Sequence, residues 1–122
     1  MVFAEKTFHS YFDPMRAIRT ARHKLIRNFE TTPSVEIPAD IQRSPVVRAR
    51  PAWFGRGVHP PVELYDLEQD PSELTNLTDS ELHADVQRAL DDRLLHWMTE
   101  TRDPLFKGVP PSPRTRRALT RP

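Results

Sequence analysis

Apolar and polar positions follow two different repeats along this chain. Between Val62 and Leu67, Val62, Leu64 and Asp66 share one side of a two-residue repeat, and Glu63, Tyr65 and Leu67 share the other. That pattern predicts a short strand with one apolar and one mixed face. Further on, Leu82, Val86, Ala89, Leu90, Leu94, Trp97 and Met98 recur at helical spacing, with Asp85, Arg88, Asp91, Asp92 and Glu100 off the stripe. This predicts an amphipathic helix over Ser80 to Thr101. Thr78-Asp79-Ser80-Glu81 supplies a capping box at its start, and Asp103-Pro104 a stop signal at its end. Between strand and helix, Asp70, Pro71 and Glu73 read as an N-cap carboxylate, a first-turn proline and a capping acid. They predict a sharp turn followed by a single helical turn. Asp91 and Asp92 are adjacent on the long helix, where side chains diverge, and are expected to face solvent.

The N-terminal part is less regular. Val2 to Phe8 alternates loosely, as an edge strand does. Asp13-Pro14 marks a turn, and Met15–Thr20 and His23–Phe29 read as hairpin arms joined by Ala21-Arg22. A helix over Met15–Asn28 competes, because Met15, Ile18, Arg22, Leu25 and Ile26 also fit helical spacing. The hairpin is the preferred assignment. Residues 30–61 carry Pro33, Pro38, Pro45, Pro51, Pro60 and Pro61, a density that forbids a long helix or a central strand. This basic excursion is expected to pack through Trp53 and Phe54, with a short strand near Val46–Val47. Beyond Lys107, prolines and arginines predict a disordered basic tail, residues 107–122.

The expected fold is therefore α+β: a small antiparallel sheet of about four strands, one long C-terminal helix packed on it, and a long proline-rich loop. Residues 1–106 make one subdomain. Composition narrows the chemistry further. Thirteen prolines stand against three glycines among 122 residues, and the formal net charge of +1 gives no overall field to attract nucleic acid or anionic lipid. There is no cysteine, which excludes disulfides, thiolate metal sites and a cysteine nucleophile. No apolar run approaches the ~20 residues that span a bilayer. No basic segment followed by an apolar one marks an export signal, and the compartment is left open.

Three blocks in order carry a family resemblance. Glu63-Leu64-Tyr65-Asp66-Leu67 with Asp70-Pro71, Glu73 and Asn76-Leu77 resembles a recurrent segment of the sulfatases. Pro14-Met15-Arg16-Ala17-Ile18-Arg19-Thr20 followed by His23-Lys24-Leu25-Ile26-Arg27-Asn28-Phe29 is similar to a hairpin of that family, with His23 and Leu25 where tyrosines are common. Val2-Phe3-Ala4-Glu5 through His9 looks like the strand before that hairpin. The blocks resemble the C-terminal region of sulfatases, and within them the N-sulfoglucosamine sulfohydrolase (heparan N-sulfatase) type. The resemblance implies a C-terminal subdomain leaning on a large α/β domain that contains the chemistry.

Complete members of that family use a formylglycine, made within a Cys/Ser-x-Pro-x-Arg motif, and a calcium ion. Here Ser44-Pro45 and Ser112-Pro113 lack that spacing, and no cofactor is expected in this chain. The isolated chain is expected to be inactive, with the missing catalytic domain as its partner and a sulfated saccharide as the family's substrate. Two residues are candidates for substrate binding. The resemblance places His9 near the active-site mouth, where an imidazole suits contact with a sugar or sulfamate. Arg16 has the planar fork that binds sulfate or carboxylate bidentately, and a salt bridge to the missing domain is its alternative role. Glu5 is a weaker candidate; Lys24 and Arg19 read as strand-surface charges. Tyr65 is expected to pack under the helix and Asp66 to bond within the turn. Asn76-Leu77-Thr78 is a formal glycosylation sequon that coincides with a structural loop. A stand-alone module binding a glycan or a protein is the alternative function. A nucleic-acid role for the arginine tail is disfavoured, because no aromatic residues interleave its basic ones.

Overall fold

A computed structural model describes residues 1–8, 12–30, 37–51 and 57–108. Four strands form one antiparallel sheet in sequence order: β1 (Val2–Phe8), β2 (Phe12–Arg19), β3 (His23–Asn28) and β4 (Val62–Asp66). Two short helices, α1 (Ala39–Gln42) and α2 (Pro45–Ala49), lie between β3 and β4, and the long helix α3 (Ala84–Glu100) follows β4. The α+β class, the hairpin and the long helix are as the sequence predicts.

Register explains the core. Phe3 pairs with Ile18, Ile18 with Leu25, and Leu25 with Leu64, so one row of apolar side chains crosses all the strands on a single face. Ile18, Leu25 and Leu64 are fully buried against Leu90, Leu94 and Met98 of α3, and Leu105 closes the end of this cluster. Each such side chain taken from water contributes roughly 1.5–3 kcal/mol. The β2–β3 connection is fixed locally: Thr20 and His23 exchange backbone and hydroxyl hydrogen bonds across Ala21-Arg22. That closure, and the pairing of β3 with β4, rules out the competing helix over Met15–Asn28.

The structure corrects several local expectations. Asp70-Pro71-Glu73 does not start a helical turn. The Asp70 carboxylate accepts from the Thr75 amide at 2.8 Å, and Glu73 sits at φ +55° with its carboxylate on Lys24 at 2.6 Å. The capping residues are therefore spent on a double turn. Val46–Val47 is helical, because Ser44 caps the Val47 amide and Pro45 occupies the first turn. The long helix begins as a 3-10 turn, Glu81–His83, before Ala84. In that tighter turn Leu82 swings out of the stripe and is 92% exposed. Ser80 makes no capping bond to the backbone; its hydroxyl meets His83 Nδ1 at 2.9 Å. Asp91 points at the sheet and pairs with Arg27, while Asp92 stays exposed. Trp53, Phe54 and residues 109–122 lie outside the described residues.

Candidate functional site

Arg16 sits in the middle of β2, opposite Arg27 of β3, and both side chains turn toward the helical layer. Two guanidiniums on one sheet face need two counter-charges. Asp91 of α3 supplies one for Arg27. Asp103, just beyond α3, supplies the other: Arg16 Nε donates to Oδ2 at 2.5 Å and Nη2 to Oδ1 at 3.2 Å. Arg16 Nη1 donates to the carbonyls of Lys6 and Met15 at 2.9 and 2.8 Å. The side chains of Arg16 and Asp103 are each 2% exposed. Burial opposes ionisation of Asp103, but the Arg16 hydrogen bond and the Leu105 amide outweigh it and hold the carboxyl below its usual range.

This geometry answers the expectation for Arg16. Its fork is already bidentate to a carboxylate of the same chain, so it offers no free pair of donors to a sulfate. The residue joins β1, β2 and the end of α3, and its partner lies in this chain. Exposed Glu5 approaches Arg16 Nε at 3.7 Å as an outer neighbour. His9 lies outside the described residues.

The turn after β4 is held by a similar arrangement. Asp66 accepts from Arg22 Nε and Nη2 and from the amides of Glu68 and Gln69. The Arg22 hydrogen bond is the largest influence and lowers the Asp66 carboxyl to about 2. Asp66 thus bonds within the turn as expected. Asn76 clamps the same strand: its Oδ1 accepts from the Leu64 and Thr78 amides, and its Nδ2 donates to the Val62 carbonyl. The sequon asparagine is occupied by the fold. Tyr65, expected beneath the helix, is on the opposite face, since Leu64 takes the helix side. It donates to Glu63 at 2.6 Å, and burial followed by this bond raises its phenol. Glu63 also receives Asn28 Nδ2 at 2.6 Å and lies 3.2 Å from His59 Nδ1.

Among the described residues, no group of three or more His, Asp or Glu side chains is placed to hold a metal ion. The described residues do not supply the donor set that the calcium and formylglycine chemistry of complete sulfatases requires. One concave feature was not legible as a site in the sequence. Phe3 of β1 and Trp97 of α3 stack with centroids 5.0 Å apart and planes 3° from parallel, and they floor an open groove of about 360 Å3. The signal was present only as two aromatics on elements that the chain separates widely.

No family model matches this chain. Over 114 residues it is 30% identical to the ulvan-active sulfatase of Formosa agariphila, a stretch covering 82% of the chain and 19% of that protein. Over 42 residues it is 48% identical to the uncharacterized sulfatase YidJ of Escherichia coli, covering 34% of the chain and 8% of that protein. A solved structure of a 2-O GAG sulfatase superposes with a TM-score of 0.56 at 18% identity, over 94% of this chain and 19% of that one. That likeness shows the same fold. The chain is similar in sequence to these two sulfatases and shares the fold of part of the third, and it spans no more than about a fifth of the length of each.

Proposed function

We propose that this chain acts as the C-terminal subdomain of a sulfatase, closing one side of the substrate cleft while the chemistry resides in a separate catalytic part. One observation carries the reading: the likeness runs along 82% of the chain yet only 19% of the relative, and the chain has no cysteine. Neither of its serine-proline pairs has the nucleophile spacing. The site geometry supports a structural role, because the best anion-binding fork, Arg16, is spent on holding sheet to helix. The substrate class we assign is a sulfated sugar, hydrolysed at a sulfuric ester or a sulfamate. The block resemblance favours the N-sulfoglucosamine sulfohydrolase type.

Sulfate release tests this. The purified chain alone is expected to release none from sulfated saccharides. A chimera in which it replaces the matching segment of the ulvan-active sulfatase is expected to release sulfate from ulvan. A folded but inactive chimera, or hydrolysis by the chain alone, would overturn the proposal. Binding of heparin-like oligosaccharides by the isolated chain would favour a stand-alone module instead.

A further inference from the structure

We propose that the groove between β1 and α3 is a saccharide-binding site, one that takes an uncharged pyranose lying flat along the Phe3–Trp97 pair. The proposal takes nothing from the sulfatase reading, and either can fail without the other. Both rings line the groove, whose volume of about 360 Å3 falls in the size range of small-ligand sites. Phe3 and Trp97 pack against the core yet stay partly exposed. Their planes are 3° from parallel, so the apolar surface they offer has a single orientation, as a flat ligand requires.

The polar bank decides the ligand. Asp92, His96 and Glu100 stand four residues apart on α3 and line the groove from one side. That bank runs for about 12 Å along the helix, long enough for a short oligosaccharide. Arg93 lies beside Asp92, and all four side chains are exposed. Asp92 and Glu100 offer acceptors, Arg93 offers donors, and His96, 3.4 Å from Glu100, offers either. A pyranose presents C–H groups on its faces and hydroxyls around its edge, and each hydroxyl both donates and accepts. It therefore needs an apolar floor bordered by donors and acceptors together, which is the arrangement of this groove. Other occupants fit less well. A sulfated chain would meet the negative charges of Asp92 and Glu100. A wholly apolar ligand would cover these polar side chains without answering them.

Titration of the chain with xylohexaose, an uncharged oligosaccharide with flat pyranose rings, tests this by nuclear magnetic resonance. The Trp97 indole N–H and the amides of Phe3 and of residues 92–100 are expected to shift and saturate, while those of Leu25 and Leu64 stay in place. Trp97 packs against the core, so truncating it would confound lost binding with lost folding. Exposed Asp92 is changed instead: Asp92→Ala is expected to leave the core resonances unmoved and to raise the dissociation constant about tenfold, as loss of a charged acceptor does. Heparin hexasaccharide is expected to shift the groove resonances less than xylohexaose at equal concentration. Groove resonances that ignore xylohexaose, or binding that Asp92→Ala leaves intact, would overturn the proposal. So would a stronger response to heparin, which would make the ligand an anion. Groove shifts that follow the concentration of the chain itself, with none from xylohexaose, would give the groove to a second copy and overturn it as well.

Discussion

The two faces of the sheet are built on different terms. On the helix side, the row Phe3, Ile18, Leu25 and Leu64 meets Leu90, Leu94 and Met98, and the two arginines beside that row each find an aspartate in the helical layer. Both arginines that this face buries are thus answered by described residues of the same chain. On the far side, Met15, Ala17 and Ile26 are only half-buried, and Glu63 and Tyr65 are covered by turns and by Asn28 and His59. Among the described residues, the Asn28 Oδ1 is buried there with no hydrogen-bond partner. One face is a finished core; the other is a polar network finished at one end. The proposed subdomain role is consistent with this asymmetry, because one apolar sheet face packed against a helix already makes a core.

Breaking the finished face carries the largest expected cost. Asp103→Ala leaves the Arg16 charge buried without its carboxylate, and about 3–5 kcal/mol of stability is expected to be lost in urea unfolding. Leu94→Ala opens a cavity under α3 and is expected to cost about 3 kcal/mol. Tyr65→Phe on the far face removes a single hydrogen bond to Glu63 and is expected to cost only about 1 kcal/mol. If Tyr65→Phe cost as much as Leu94→Ala in the same assay, the contrast between faces would fail.

Acid sharpens the comparison. The folded Asp66 carboxyl is lowered to about 2 from the ordinary 3.8, so the unfolded chain binds the proton first. Its contribution is therefore present above about pH 4 and is lost as pH falls through about 2. Asp103 is lowered as well and acts with the same sign. Thermal melts between pH 6 and pH 2 are expected to show falling stability in that window, and Asp66→Asn is expected to flatten part of the fall.

Much of this was legible in the sequence because the information was local. Ala21-Arg22 between two loosely patterned arms favours the hairpin over the competing helix, and the three- and four-residue spacing of Leu90, Leu94 and Met98 specifies the long helix and its buried stripe. Asp66 as a turn anchor follows from its place at the end of a strand. The failures share a cause. A capping signal shows where a helix can start, not whether one follows, and Glu73 was drawn instead to Lys24 on β3. Leu82 fitted the stripe only if the helix began in full α geometry. Arg16 and Asp103 are 87 residues apart, so no local pattern could show that the fork was already occupied. The Phe3–Trp97 groove was hidden for the same reason.

Hydrogen exchange on the isolated chain tests most directly whether the helix-covered face is complete by itself. The amides of Ile18 and Leu25 and those in the middle of α3 are expected to exchange only through global unfolding, with one common free energy, while the turn over residues 67–77 opens more readily and takes with it the Leu64 amide that Asn76 holds. Rapid exchange throughout β2, β3 and α3 would contradict this, and would mean that the core forms only when a partner covers the rest.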